Sequence, residues 1–385
     1  RAEFHCRNLK YDMHTDIAVS PEHDVELRRT KITNNSLEQR TIDVTSFAEV
    51  VLASSAADAL HPAFSNLFVQ TEIVEDQFAI LCTRRARSEE ENNPCMLHMM
   101  TVHGVPVDAI SYETNRRQFI GRERTIKKPR AMDRDVVDLS DSAGAVLDPV
   151  VAMRTRITLE AGQSAIIDVV SGVGESRATA MTLIEKYRDK GIADRVSRMA
   201  WVHGQILLRQ IHATEVEAQL YTGLSDSILY ANAQLRAESS VLVQNSRGQS
   251  GLWGYTLSGD LPILLLRIGS TDNIELVRQL LRAHTYWNLK GLLVDLVIWN
   301  EDKAGYRQLL HDQIMGLIAE GKGSLLGKPG GIFVLSADRI AEEDRILMQA
   351  VARVIITDDK DSLAQWVKGR IAPVNTIPYL ALSEV

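Results

Sequence analysis

Between Asn245 and Asp260 the chain reads Asn-Ser-Arg-Gly-Gln-Ser-Gly-Leu-Trp-Gly-Tyr-Thr-Leu-Ser-Gly-Asp, its richest concentration of residue types that can hold a ligand. The glycines let backbone approach a bound molecule closely. Trp253 and Tyr255 offer aromatic faces of the kind that stack on the apolar C–H side of a sugar ring. Arg247 and Asp260 can grip hydroxyls through charge-assisted hydrogen bonds, and Gln249 through neutral ones. Arg247, Gln249, Trp253, Tyr255 and Asp260 are therefore the candidate substrate-binding residues. The same segment can also be a long, well-packed loop with no ligand, and composition alone leaves both readings open. Its spacing matches neither a dinucleotide nor a P-loop fingerprint, which argues against nucleotide phosphate.

Trp299-Asn300-Glu301-Asp302 sets two carboxylates beside an aromatic. Carboxylates so placed can serve as general acid or base in glycoside chemistry. The reading preferred here is a turn and a helix N-cap at Asp302. His98 and His103, five apart in a strand pattern, face opposite sides, and no His-Glu-x-x-His occurs. No Gly-x-Ser-x-Gly elbow is present, and Cys82 and Cys95 have no evident base partner. No catalytic residue and no metal site is assigned.

Composition narrows the classes. The 385 residues include 50 acidic and 43 basic ones, a formal charge of −7, which does not suit a broad nucleic-acid surface. The basic run from Arg116 through Arg122, Arg124 and Lys127 to Arg130 reads as a solvated loop. Three cysteines without repeated spacing give no disulfide framework. No apolar run is long enough to span a bilayer; Leu261 to Leu266 and Leu292 to Ile298, the longest, read as core. A start on Arg1 and a close on Ile377-Pro378-Tyr379-Leu380 give the expectation of an interior piece of a larger polypeptide.

The elements that must position the loop fall into two halves. From Arg40 to Leu52, Ile42, Val44, Ala48 and Val50 alternate with polar residues, the period of a half-buried strand. Val25 and Leu27 share one parity and Thr30 and Ile32 the other, which predicts a bulge near Arg28 and Arg29. Asn34-Asn35-Ser36 is read as a turn using the tolerance of Asn for positive φ. Further strands are predicted at 69–73, 78–83, 96–103 and 152–159, the last joined through Glu160 to Gln163 in a hairpin to 164–171. Many strands at short spacing imply a large antiparallel sandwich. At Gly174 the period changes. Helices are predicted at 176–188 and 193–211, and another from Thr214 with Glu217 in the reciprocal capping position. Asp272 and Glu275 repeat that signature. After residue 290 the pattern is mixed, with a possible buried strand at 292–298, helices at 303–319 and 342–351, and short strands at 332–335 and 354–357.

Several stretches resemble one family. They are Asp24 to Arg29, Thr45 to Leu52, His61 to Gln70, the loop Gly248 to Pro262, and Tyr286-Trp287-Asn288-Leu289-Lys290-Gly291 with Val294 to Asp302. Together they resemble the cyclic β-1,2-glucan synthases, with a segment related to glycoside hydrolase family 94. The resemblance implies an α+β fold. An N-terminal antiparallel β-supersandwich (1–173) precedes a helical linker (174–213) and a truncated (α/α) barrel-like helical region (214–385). It implies β-1,2-glucan and the remaining domains of the same polypeptide as partners. UDP-glucose would be the donor of the full-length glucosyltransferase, with no cofactor in this chain, and the location the cytoplasmic side of a bacterial inner membrane. Trp299 to Asp302 echoes the family's Asp-Trp-Asn-Asp setting but comes too early and lacks the leading Asp. By position in the loop, Asp260, with Arg247, Trp253 and Tyr255, is the counterpart of the donor-site residues. The segment is expected to bind or scaffold glucan without a complete catalytic centre; an active inverting phosphorylase and a spacer that binds nothing are the alternatives.

Overall fold

The computed structural model describes residues 2–85, 94–302, 309–322, 325–360 and 362–368. Contacts divide the chain into two units, Arg1–Gly204 and Gln205–Val385.

The first unit opens with β1 (Ala2–Arg7), β2 (Tyr11–Val19), β3 (Val25–Asn34) and β4 (Arg40–Glu49). Short helices α1 (Ser55–Leu60) and α2 (Pro62–Asn66) turn the corner at His61, where Pro62 takes the first helical position. Then come β5 (Val69–Val74), β6 (Ala79–Arg84), β7 (Cys95–His103), β8 (Ala109–Asn115), α3 (Arg116–Ile120) and β9 (Gly144–Ala145). The unit closes with β10 (Pro149–Leu159), β11 (Ser164–Gly174), α4 (Arg177–Tyr187) and α5 (Lys190–Gln210). An eight-stranded sheet, β1-β2-β3-β11-β7-β6-β5-β9, faces a three-stranded sheet, β4-β10-β8.

The core between the sheets joins Ile32, Ile80, Met100 and Ile167 of the large sheet to Tyr112, Val151, Met153 and Ile157 of the small one. On its other face the large sheet packs Val25, Leu27, Leu97, Met99 and Val170 against Leu183, Ile184 and Tyr187 of α4 and Ala193 and Val196 of α5. This two-sided burial corrects three expectations. The parity change in β3 is not a bulge, because its pairing with β11 runs unbroken from Val25 to Thr33. Val25 and Leu27 face the helices, while Ile32 faces the small sheet. Glu160 to Gln163 does not close a hairpin either: β10 lies in the small sheet and β11 in the large one. Nor does Asn34 adopt positive φ. It is fully buried, and its side-chain amide donates to the carbonyls of Glu38, Leu159 and Glu160, binding together the two crossings between sheets. The expected linker 174–213 is not a separate body, since α4 and the start of α5 are the helical layer of the first unit.

The second unit contains α6 (Glu215–Leu229), α7 (Ser239–Gln244), β12 (Ile263–Ile268), α8 (Ile274–Leu289), β13 (Asp295–Asn300), α9 (Leu309–Lys322), β14 (Ile332–Ser336), α10 (Glu342–Val351), β15 (Val354–Thr357) and α11 (Leu363–Lys368). The capping box of Thr214 and Glu217 opens α6 as predicted. Before α8, Ser270 rather than Asp272 supplies the side-chain acceptor. The barrel-like expectation for 214–385 is corrected: β14-β13-β12-β15 form a parallel sheet. The apolar runs within 261–268 and 292–298 are strands covered on both faces, the usual condition of a parallel sheet. Leu264, Leu266, Leu296 and Ile298 pack against α6, α8, α9 and α11. Ile263, Leu265, Val297 and Trp299 pack on the other face. Among the described residues no helix is long and apolar enough to cross a membrane.

His98 ties the two sheets of the first unit. Its Nε2 lies 2.8 Å from Ser46 Oγ on β4 and its Nδ1 2.8 Å from Ser171 Oγ on β11. Burial, with a smaller contribution from Arg28, pushes its pKa from the ordinary 6.5 down to about 4. The unfolded chain therefore takes up this proton first, so the contribution of His98 is complete above pH 6.5 and is lost as pH falls toward 4. Chemical denaturation at a series of pH values is expected to show a loss on the order of 3 kcal/mol across that window. Most of that loss should be absent in His98→Gln.

Candidate functional site

The loop 245–260 is folded rather than open. Gln249–Tyr255 forms a 3-10 turn that delivers Leu252 into the core under β12 and β13, and Leu257 follows it there. Gly251 sits close to α10: a Cβ at this position would lie 2.7 Å from Leu347 Cδ2, so that side chain would have to shift to admit one. Thr256 ends the turn at φ 62.

Polar contacts hold the loop to α10. Arg247 donates through Nε to Glu343 at 2.8 Å and through Nη1 to Asp344 at 2.8 Å. Tyr255 OH donates to the other oxygen of Asp344 at 2.9 Å. Gln249 Nε2 donates to Ser258 O at 2.8 Å and to Asp260 Oδ1 at 3.0 Å. Trp253 Nε1 lies 3.3 Å from the same Ser258 carbonyl, while the residue stays 62% exposed. The carboxylates of Glu343 and Asp344 keep the Arg247 guanidinium protonated.

A cleft of about 510 Å³ opens beside the loop, at the amino ends of β12 and β15. Arg247, Gln249, Asp260 and Arg353 are its polar lining; Leu252, Pro262 and Leu347 are among its apolar wall residues. Three of the five candidate residues, Arg247, Gln249 and Asp260, thus meet at one concavity. Trp253 and Tyr255 do not line it. Sequence reasoning missed Arg353 and the acidic partners on α10. Glu342-Glu343-Asp344 was legible only as an acidic helix start, and nothing local reveals its pairing with a loop some hundred residues earlier.

Neither carboxylate of the Trp299 to Asp302 segment faces this cleft. Trp299 is buried in the core, Glu301 pairs with Arg267 at 2.8 Å, and Asn300 Oδ1 accepts the Asp302 N–H. Lys303 and the five residues after it lie outside the described residues.

The opposite end of the sheet is where doubly wound folds place ligands, at the point where strand order reverses. Here the order is such that β12 lies between β13 and β15. Asp358, just after β15, accepts the N–H groups of Gly269 and Ser270 at 2.9 and 3.2 Å. The chain's own carboxylate fills that anion-binding corner.

Residues 1–190 match the family described as glycosyl hydrolase 94, supersandwich domain. The match takes in 190 of the chain's 385 residues, just under half. The matched residues contain the paired sheets and α4, and all five candidate residues lie beyond them. The chain is also 33% identical over 290 residues to cyclic beta-(1,2)-glucan synthase NdvB of Rhizobium meliloti (strain 1021), a match covering 75% of this chain. It spans about a tenth (10%) of that relative's length. Among solved structures, a polysaccharide lyase overlaps 47% of this chain and 23% of its own at 11% identity, with a TM-score of 0.29. A putative kojibiose phosphorylase from human microbiome overlaps 51% and 21% at 10% identity, with a TM-score of 0.30. Overlaps this shallow define no shared fold.

Two outcomes follow from the site's electrostatics. Asp344→Ala removes the shared acceptor of Arg247 and Tyr255 and is expected to cost about 2 to 3 kcal/mol in urea unfolding. Asp295, fully buried at the start of β13, accepts the Gly330 N–H through Oδ1, and its Oδ2 has no partner among the described residues. Burial raises its pKa, aided by the charge of Asp260. The folded state thus holds this proton more tightly, and stability drains away as pH rises through the folded value. Asp295→Asn, which keeps an acceptor for Gly330 and carries no charge, is expected to raise the unfolding midpoint at pH 8 more than at pH 3, below the ordinary carboxyl value of 3.8.

Proposed function

We propose that this chain is a glucan-binding, non-catalytic segment of a cyclic β-1,2-glucan synthase. The supersandwich acts as scaffold, and the cleft at Arg247, Gln249, Asp260 and Arg353 acts as a saccharide subsite. The similarity to a glucan synthase supports the choice of β-1,2-glucan as ligand. Transfer of glucose from UDP-glucose would be carried out by other parts of the longer polypeptide, on the cytoplasmic side of the inner membrane, with which this segment would pack.

The observation that carries the reading is the cleft's polar lining. Two guanidinium groups, an amide and a single carboxylate converge on a concavity with apolar walls, a combination suited to hydroxyl recognition. Glycoside hydrolysis ordinarily needs two carboxyl groups flanking the scissile bond, and among the described residues Asp260 is the one carboxylate in the lining. Arg247 serves both purposes, since its pairing with α10 fixes the guanidinium at the rim.

Calorimetric titration with linear β-1,2-gluco-oligosaccharides, with and without phosphate, tests this reading. Binding that weakens at least about tenfold in Asp260→Ala, roughly the 1.4 kcal/mol of one charge-assisted contact, is expected, with no glucose 1-phosphate formed. Glucose 1-phosphate would mean an active phosphorylase, and absence of both binding and product would leave a structural spacer.

A further inference from the structure

In the large sheet β7 outruns its neighbour. The β5–β6 hairpin closes through the 3-10 turn Glu75–Gln77 and Phe78, whose φ of 50 ends the turn, and β6 pairs with β7 only from Ala79, opposite Met99. The last backbone bond between them runs from the Met100 N–H to Phe78 O at 3.4 Å. Thr101, Val102 and His103 continue past the hairpin, paired with β11 on one side only among the described residues. In an antiparallel strand the groups that face one neighbour recur at every second residue, so the N–H and C=O of Val102 point the same way as the Met100 N–H. Neither has a partner among the described hydrogen bonds.

A cavity of about 220 Å³ lies along this edge and is lined by the four consecutive residues Met100 to His103. Consecutive strand side chains point to opposite faces, so one cavity touches all four only by lying against the edge itself. Phe78, Val107 and Ile110 give it apolar walls, and Arg188, the residue that caps α4, stands at its side. The Thr101 hydroxyl oxygen is buried with no hydrogen-bond partner among the described residues, an unusual state for such a group. Arg188 lies over the Phe78 ring and spends Nη1 on Gln77 Oε1 at 2.7 Å and on the Asp76 carbonyl. No carboxylate pairs with it among the described residues. His103, by contrast, is taken up by Asp168, 3.2 Å from its Nε2.

We propose that this pocket captures the carboxyl terminus of an extended peptide whose last residue is apolar. The peptide main chain would pair with Val102, its last side chain would fill the cavity, and its carboxylate would meet Arg188 and the Thr101 hydroxyl. Strand addition at an open edge gives affinity through main-chain bonds and selectivity through the side-chain pocket, and the terminal charge supplies the acid that Arg188 lacks. The apolar walls suit a hydrocarbon side chain rather than the hydroxyls of a sugar. All of these residues belong to the first unit, so the pocket is independent of the cleft in the second.

The test is calorimetric titration of the full chain with acetyl-Thr-Val-Leu bearing a free carboxyl terminus, and with the same peptide amidated. The free acid is expected to bind at least about tenfold more tightly, the usual scale of one charge-assisted contact. Arg188→Gln should bring its affinity down to that of the amide, with far-UV circular dichroism unchanged. N-methylation of the leucine, which removes the N–H offered to the open edge, should weaken binding to the parent chain, and Val107→Trp, which fills the cavity, should abolish it. Equal affinity for acid and amide, no saturable binding of either, or affinity that survives Val107→Trp would overturn the proposal, as would displacement of the peptide by linear β-1,2-gluco-oligosaccharides.

Discussion

Each unit is organised by a sheet that has to be covered on both faces. A sheet with one dry face and one wet face needs one partner layer, whereas these need two, and the second layer is supplied by segments of irregular pattern. In the first unit the second layer is α4 and α5, docked on Val25, Leu27, Leu97 and Val170. In the second it is α10 together with the 3-10 turn that carries Leu252. Asp168 shows how closely the layers are matched: fully buried in β11, it takes a two-pronged contact from Arg29, which also reaches Asp194 on α5. The carboxylates hold the Arg29 guanidinium charged despite its burial.

That constraint changes the meaning of the loop 245–260. Its glycines and aromatics, which on their own suggest adaptation to a ligand, are used to lay backbone flat against a packed core. A side chain at Gly251 would displace Leu347, which occupies the adjoining space. Yet the same clamping by Glu343 and Asp344 immobilises Arg247 at the rim of a cleft. An ordered guanidinium costs less entropy to engage than a free one, so a core-covering loop is a good platform for a binding group. The two readings that the sequence left open are compatible for Arg247 and Asp260, and they separate for Trp253 and Tyr255, which lie away from the cleft.

The first unit was the more legible from sequence: β4 showed the period of two, and short runs at β5, β6, β7, β10 and β11 were each read as strands. What failed there was sheet membership. Nothing in Glu160 to Gln163 distinguishes a hairpin from a crossing between sheets; Asn34, remote in sequence, decides it with three hydrogen bonds. In the second unit β12 and β13 are uniformly apolar, and periodicity cannot tell such a run from a buried helix. β13 was read as a possible strand and β12 only as core, so the parallel sheet went unseen. Of the site, Arg247, Gln249 and Asp260 could be found by residue type, whereas Arg353 and Asp344 depend on strand and helix placement alone.

Most of the described carboxylates around the second unit's sheet are held by partners within the unit. A general acid or base has to meet the proton it transfers directly or through one water. Around the second unit's sheet, Asp344 is held by Arg247 and Tyr255, Glu301 by Arg267, and Asp358 by two backbone N–H groups and Asn273. Asp295 is enclosed in the interior, and Asp260 faces the cleft with Gln249 beside it. Asp260, with Gln249 beside it and Arg247 and Arg353 in the same lining, is placed to orient a hydroxyl in the cleft. On the reading proposed above, the reacting group for chemistry on a glucan would come from elsewhere in a longer polypeptide, and the cleft would hold the sugar chain.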